Sequence, residues 1–258
     1  MSTKTVSQEL ISFAASHNVD IDAQPFISIT PLVTDALKLR VHQLLRQMAT
    51  VVFTSANAVS AIQDHYLSAD GKYYYGDWLS FPPDTPAEQI EAFRQGGFYT
   101  PGWKVYCLEG ATLKAVSTSG IRHDIIATAN DATALARQIV LHEETGHVAF
   151  FCGDRRRDDL PAILAAHGIM LDEIIIYSTT ETPVSTEKQY DGVFFLSPSA
   201  VQSFFSVNSL PPHTICFSIG HTTAKALEAY TSNKIIISTS QRIDDMVQTA
   251  INYFNNIN

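Results

Sequence analysis

The sequence predicts an α/β protein of two similar lobes, each a parallel sheet covered by helices, with a cleft between the lobes. Two observations support this prediction. Apolar runs rich in valine, isoleucine and phenylalanine alternate with helical segments along the 258 residues, as in parallel sheets buried on both faces. Two strand–turn–helix patterns also occur twice each, and clefts between α/β lobes are common ligand sites.

The predicted strands are continuous apolar runs rather than alternations of polar and apolar residues. They lie at 25–33, 49–55, 103–110, 146–153, 172–179, 191–197, 213–220 and 233–240. Helices are predicted between them at 131–144, 158–169, 222–230 and 242–254. Strands that alternate with helices in this way favour a parallel sheet.

The internal repeat indicates two copies of one arrangement. "VVFTSANAVSAI" (51–62) aligns with "VFFLSPSAVQSF" (193–204), and "VYCLEGATLKAV" (105–116) aligns with "CFSIGHTTAKAL" (216–227). The first copy carries an extra segment at about 66–100, rich in tyrosine and proline, in which we predict a short helix at 87–94. Its aromatic residues either cap the cleft or cover one lobe.

Composition excludes several classes of partner. A formal net charge of −9 repels nucleic acid and anionic lipid, so neither is expected to bind. No apolar run approaches the ~20 residues of a membrane helix, and the first residues lack the apolar core of a signal peptide, which predicts a cytoplasmic protein. Cys107, Cys152 and Cys216 lie far apart in apolar runs and are predicted to be buried structural thiols.

Six turns rich in small polar residues follow predicted strands. They lie at 54–57, 109–112, 152–156, 178–180, 197–200 and 220–223. At helix starts, such turns cap the helix, and the unpaired backbone N–H groups there attract carboxylates or phosphates. The dense basic patch Arg155–Arg157 follows one of them. One of its arginines could bind a carboxylate, or the neighbouring aspartates could neutralise all three.

Other candidate motifs in the sequence do not match the known metal-binding, nucleotide-binding or hydrolase patterns that they resemble. "HEETGH" (142–147) has histidines five apart rather than four, so a zinc site is not indicated. The sequence shows no dinucleotide fingerprint or P-loop, and "LSPSA" lacks the glycines of a hydrolase nucleophile elbow. His221 is the one histidine within a candidate ligand turn, where it either contacts ligand or is structural.

The combination of four segments resembles the uroporphyrinogen-III synthase family over nearly the whole chain. They are "VVFTSANAV" (51–59), the run from "FFCGDRRRDDL" to "IIIYST" (150–179), "YDGVFFLSPSAVQSFF" (190–205) and "FSIGHTTAKALEAY" (217–230). The resemblance implies two lobes with flavodoxin-like layers, joined by two linker segments near 30–33 and 177–183. Residues 1–33 and 178–258 would form lobe one, and residues 36–172 lobe two.

The resemblance also implies an activity. The family cyclises hydroxymethylbilane, a linear tetrapyrrole polycarboxylate, with inversion of ring D and loss of water, as a cofactor-free and metal-free lyase of haem biosynthesis. We expect a monomer. Tyr177 matches the tyrosine that aids departure of the hydroxyl. Further matches to substrate-binding positions are Ser55, Asn57, Gly153, Arg155, Ser197, Ser199, Thr222, Thr223 and, less directly, Lys4.

Two departures from the family pattern affect these expectations. Most of the first strand is absent and Lys4 stands near an arginine position, so either the start is misassigned or the first sheet is one strand short, with an exposed edge. Glu109 replaces a turn glycine, and its charge would repel a carboxylate. The alternative function is a two-lobed binding or sensor protein for an anionic metabolite, without catalysis. A flavodoxin-like carrier is disfavoured because no phosphate loop is recognisable.

Overall fold

The computed structural model describes residues 1–67, 86, 88, 102–142, 144 and 147–256. The chain divides into two compact units. The central unit is Thr30–Ser178, and the discontinuous unit combines Met1–Ile29 with Thr179–Asn258. Most of the extra segment predicted at about 66–100, with its helix at 87–94 apart from Glu88, lies outside the described residues.

The strands and helices alternate through both units, which confirms the predicted α/β class. The strands are β1 (Ile27–Pro31), β2 (Thr50–Phe53), β3 (Trp103–Leu108), β4 (His123–Ala129), β5 (His147–Gly153), β6 (Met170–Glu181), β7 (Gly192–Phe195), β8 (Ile215–Ser218) and β9 (Ile235–Ile237). The helices are α1 (Gln8–Ala15), α2 (Asp35–Leu45), α3 (Ala56–Tyr66), α4 (Ala111–Thr118), α5 (Ala132–Leu141), α6 (Asp159–Ala166), α7 (Pro198–Phe205), α8 (His221–Glu228) and α9 (Ile243–Asn255). None of these described helices has the length and hydropathy to cross a membrane.

The larger sheet has the strand order β1-β6-β5-β2-β3-β4. From β6 to β4, each neighbouring pair is parallel. Side chains alternate between the two faces of a strand, and both faces are packed. Val52 and Phe150 join a buried cluster with residues of α5 and α6. On the opposite face, Phe151 stacks on both Phe53 and Trp103, with ring centroids 5.6 Å apart in each pair.

The sheet of the discontinuous unit, β7-β8-β9, is also parallel and covered on both faces. Val193 and Phe195 belong to a core with α7 and α8. Phe194 and Phe217 belong to a second core with α1 and α9. Helices on both faces explain why these strands read as continuous apolar runs.

The expectation of an exposed edge beside β7 is wrong. Residues 1–3 lie along this strand. The Thr3 N–H donates to the Phe194 carbonyl at 3.0 Å, and the Phe194 N–H donates to the Met1 carbonyl at 2.8 Å. The segment also pairs on its other side. Three residues are therefore sufficient to cover the strand edge, although they form no regular strand.

Three elements were not predicted. The strand β4 begins with His123 and Asp124 and is only partly buried, because it lies at the sheet edge; it lacks the continuous apolar run used to find the others. The helices α1 and α2 each start at a recognisable N-cap. Ser7 accepts a hydrogen bond from the Leu10 N–H at 3.3 Å, and Thr34 accepts one from the Leu37 N–H at 3.2 Å.

Two of the six predicted turns are not helix starts. Residues 178–180 lie inside β6, which continues to Glu181, because hydroxyl and β-branched residues fit an extended strand. The basic turn after Gly153 is a loop, since α6 begins only at Asp159. The backbone N–H groups of a helix start are therefore not available at either place.

The three cysteines are buried and free, as predicted. Burial raises the pKa of the Cys107 and Cys152 thiols to about 11 and that of Cys216 to about 12. Since the thiolate is the reactive form, we expect no thiol to react with a disulfide reagent at pH 8 in folded protein. All three should react in urea. Fast labelling of one cysteine in the absence of denaturant would contradict this prediction.

Candidate functional site

Three neighbouring strands of the central unit bring polar residues to one sheet edge. Ser55 follows β2, Gly153 ends β5, and Tyr177 lies in β6. The strand β5 lies between the other two. The carboxyl ends of parallel strands form the usual ligand edge of an α/β sheet, so these three residues share a candidate site.

The Tyr177 ring lies directly across Gly153. The two residues are paired between β5 and β6, beside a register shift that follows Cys152. A Cβ atom at Gly153 would lie 2.4 Å from Cε2 of Tyr177 and 2.8 Å from its hydroxyl oxygen. A side chain at this position would force the Tyr177 ring to move, so the glycine permits the tyrosine to reach across β5 toward β2.

The polar side chains of Ser55 and Asn57 influence the Tyr177 phenol, since both act to lower its pKa. Ser55 is the N-cap of α3, and its Oγ accepts a hydrogen bond from the Asn57 N–H at 3.2 Å. Tyr177 is 9% exposed. Burial raises the pKa of its phenol above the ordinary value of 10.0, while the polar side chains of Ser55 and Asn57 act in the opposite direction. At neutral pH, this phenol carries its proton.

The basic patch is largely engaged with acidic neighbours. Arg156 pairs with Asp158 and Glu173, and Arg157 pairs with Asp159 at 2.5 Å. Acidic neighbours thus neutralise Arg156 and Arg157, as one of the two alternatives for this patch predicted. Arg155 is exposed and follows Gly153 by two positions in the loop, so it lies closest in sequence to the Tyr177 site.

In the discontinuous unit, Ser197 and Ser199 lie where β7 leads into α7. The Ser197 Oγ accepts a hydrogen bond from the Ala200 N–H at 3.1 Å and so caps the helix. Its hydroxyl proton remains available for donation, because a serine hydroxyl accepts and donates at once. Ser199 is half-buried in the first turn of α7.

The next strand leads into α8, whose N-terminal end has a glycine at the N-cap. Its N-cap is Gly220, and in the part of the chain that the structure describes no side chain caps this end. The first intrahelical bond runs from the Ala224 N–H to the Gly220 carbonyl at 3.0 Å. The N–H groups of His221, Thr222 and Thr223 precede it, and such groups bind anions.

The two predicted threonines differ in what they can offer. Thr222 is exposed, whereas Thr223 is only 3% exposed. Thr223 therefore offers its backbone N–H rather than an accessible hydroxyl. Lys4 is exposed and follows residues 1–3, which run parallel to β7. It therefore lies at the carboxyl end of β7, as Ser197 does.

Glu109 precedes α4, at the turn that repeats the start of α8. It is exposed, and its carboxylate accepts a hydrogen bond from the Thr128 hydroxyl at 3.5 Å. The N-cap of α4 is Gly110, with φ 71°. A negative charge thus stands at this turn, as expected from the sequence. No described group of three or more histidine, cysteine, aspartate or glutamate residues is arranged to hold a metal ion.

Sequence reasoning placed Ser55, Asn57, Gly153 and Tyr177 among the functional residues but missed that the Tyr177 ring lies against Gly153. Ser55 and Gly153 were read as parts of separate turns. These turns lie beside one another because β5 lies between β2 and β6 in the sheet. No spacing in the sequence reports this strand order.

Comparison with known proteins places this geometry in context. The family model described as uroporphyrinogen-III synthase HemD matches residues 9–248. The chain is similar to the crystal structure of uroporphyrinogen-III synthetase from Helicobacter pylori, with TM-score 0.59, 15% identity and coverage of 90% of this chain and 92% of that one. It is also similar to a mutant uroporphyrinogen III synthase from the extremely thermophilic bacterium Thermus thermophilus, with TM-score 0.57, 12% identity and coverage of 99% and 98%. A search of curated proteins finds no match.

Proposed function

The chain belongs to the uroporphyrinogen-III synthase family, and we propose that it acts as a lyase that closes hydroxymethylbilane with inversion of ring D and release of water. The observation that carries this proposal is the family match over residues 9–248. The placement of Tyr177 supports it, because a buried and protonated phenol suits an acid that assists loss of a hydroxyl.

Tyr177 is the proposed acid. Its proton passes to the hydroxyl on the hydroxymethyl carbon of ring A, the carbon–oxygen bond breaks, and water leaves. The pyrrole nitrogen, which keeps its proton, supplies the electron pair that forms the azafulvenium cation. Ring D then attacks through its substituted position, and the resulting spiro intermediate fragments and recloses with ring D inverted. The proton lost at the last step neutralises the Tyr177 phenolate, so the residue is regenerated.

The net charge of −9 repels the carboxylates of the substrate, so local hydrogen-bond donors and positive charges must bind them. In the discontinuous unit, we assign this role to the first turns of α7 and α8, through Ser197, Ser199 and the backbone N–H groups of Thr222 and Thr223. Lys4 and, in the central unit, Arg155 add positive charge. Helix starts of this kind favour negative groups. The reaction itself removes water and rearranges carbon–carbon bonds, so it requires no redox cofactor.

The direct test is the isomer that forms. Freshly prepared hydroxymethylbilane closes without enzyme to the uninverted isomer, and we expect purified protein to redirect it to the inverted isomer, separated by chromatography. Holding the reacting ends in one geometry is the main contribution expected of the enzyme. The same isomer profile with and without protein would refute the proposal. Tight capture of unchanged bilane would favour a binding protein.

The protonation state of Tyr177 gives a prediction for pH. An acid must be protonated to act, and burial raises the pKa of this phenol above 10.0. Deprotonation of Tyr177 should therefore not limit kcat below pH 10. The measurement is kcat for bilane closure from pH 7 to 10. A fall in kcat with an apparent pKa near 8 that vanishes in Tyr177→Phe would contradict the prediction.

A further inference from the structure

The discontinuous unit contains a cavity that the proposed reaction does not use. Its volume is about 560 Å³, which is within the range of small-molecule sites. Two chain segments, 18–22 and 188–192, line much of it, and all of its lining residues belong to this one unit. Gly192 is the first residue of β7, whereas Ser197 follows the last. The cavity therefore lies at the amino end of β7, and the proposed substrate-binding turn lies at the other end.

Aromatic rings form the apolar side of the cavity. Phe194, Phe217 and Phe254 line it. The Phe217 ring meets the other two edge-on, with ring centroids 5.4 Å from Phe194 and 5.8 Å from Phe254. All three rings belong to the core that α1 and α9 cover. This apolar surface is therefore held in place by the packing of the unit itself.

The polar side of the cavity carries an excess of negative charge. Three exposed aspartates line it, and we call them the acidic rim: Asp20, Asp22 and Asp191. The one lysine among the lining residues is Lys188. The Met1 amine also lines the cavity, but burial lowers its pKa to about 5, so it carries no charge at pH 7. Three carboxylates thus face one ammonium, and the cavity attracts cations and repels anions.

An ammonium group of the chain itself already binds at the acidic rim. Lys188 donates to the Asp22 carboxylate at 2.5 Å, and its Nζ lies 5.3 Å from the centroid of the Tyr190 ring. The Tyr190 hydroxyl donates to the same carboxylate at 3.2 Å. A carboxylate beside an aromatic face suits an ammonium group, through charge and through the ring quadrupole. This contact shows the chemistry that a cationic ligand would meet.

Backbone hydrogen bonds fix both segments that carry the acidic rim. The Ser2 N–H donates to the Asp22 carbonyl at 2.7 Å, and the Ile215 N–H donates to the Asp191 carbonyl at 2.9 Å. The second of these bonds ties the start of β7 to β8. A site whose walls are already ordered loses less entropy when a ligand binds.

We propose that this cavity binds a small organic cation, with its ammonium group at the acidic rim and its apolar body against Phe217 and Phe254. A ligand that carries a carboxylate in place of the ammonium group is repelled. The polycarboxylate substrate of the proposed reaction is repelled for the same reason. The cavity is therefore a second site, and its ligand does not depend on the proposed function.

Phenethylammonium is a suitable probe, because it joins a primary ammonium group to a phenyl ring. Its binding to the full chain can be followed by NMR through the backbone amides of Ile21 and Gly192, which line the cavity. We expect both signals to shift and to reach saturation. Phenylethanol and phenylacetate present a hydroxyl and a carboxylate on the same ring and should shift them far less. Equal shifts with phenylethanol, or no saturable shift with phenethylammonium, would overturn the proposal.

Two substitutions should change the affinity for phenethylammonium in opposite directions. Asp191→Asn removes a carboxylate and should weaken binding about two- to fivefold, the contribution of an ion pair that solvent reaches. Lys188→Gln removes the ammonium that competes for Asp22 and should strengthen binding by a similar factor. Asp124→Asn changes the net charge equally at an exposed position of β4 in the central unit, so it is the matched control. The same affinity in all three variants would contradict the role of the acidic rim.

The salt dependence of binding tests the same role in the unmodified protein. Added salt screens exposed charges, so the affinity for phenethylammonium should fall as the ionic strength rises. This measurement does not require any variant to fold. An affinity that stays constant with salt would show that the acidic rim does not hold the ammonium group.

Discussion

Replacing Tyr177 by phenylalanine is expected to lower kcat for inverted-isomer formation by about 100-fold or more, the usual contribution of a positioned general acid. The variant keeps the ring over Gly153 and loses only the hydroxyl. The unfolding temperature should therefore change little. Chromatographic rates of isomer formation and thermal unfolding of the same preparations measure the two effects.

The matched control is Tyr230→Phe. Tyr230 is 47% exposed and stacks on Phe205 in the discontinuous unit, so loss of its hydroxyl should affect neither rate nor stability. If Tyr177→Phe forms the inverted isomer as fast as this control, Tyr177 is not the acid. The pH prediction, which assumes that Tyr177 is the acid, would then lose its basis.

Gly153→Ala is expected to lower kcat by a comparable factor for a different reason. The new Cβ would lie 2.4 Å from Cε2 of Tyr177, which real structures do not tolerate, so the ring must move. A displacement of about 1 Å at a reacting group can cost about 100-fold in rate. Overpacking should also lower the free energy of unfolding by about 1–3 kcal/mol. Both quantities can be measured on one preparation.

Gly120→Ala provides the comparison for this variant. A Cβ at Gly120 would meet Leu67 at 3.6 Å, an ordinary contact, so neither rate nor stability should fall appreciably. Full turnover of Gly153→Ala would show that the Tyr177 ring need not lie across β5. The combined variant Gly153→Ala with Tyr177→Phe should be no slower than Tyr177→Phe alone, because the hydroxyl that the alanine displaces is already absent.

The alternation of strands and helices could be predicted because buried parallel strands leave a strong mark in the sequence. The repeated segments 51–62 and 193–204 occur as β2–α3 and β7–α7, and in each copy a serine caps the helix. The signal failed where burial was partial. The edge strand β4 starts with His123 and Asp124 and exposes Ile125, so its pattern differs from that of the inner strands.

The candidate site was predicted residue by residue but not as an arrangement. Ser55, Asn57 and Tyr177 were found through the family resemblance, yet their arrangement depends on strand order and register. The register shift beside Gly153 is set by tertiary packing, so local propensity gives no sign of it. Residues 178–180 were misread for a related reason, since serine and threonine suit both a cap and a strand.

The glycine N-cap of α8 has a consequence for divergence. The binding of an anion by main-chain N–H groups depends on the path of the backbone and hardly at all on which side chains line the site. Substitutions around such a site should therefore have little effect on anion binding. If the proposed anion contact at α8 is correct, proline, which lacks the amide hydrogen, should be the substitution there that weakens binding most.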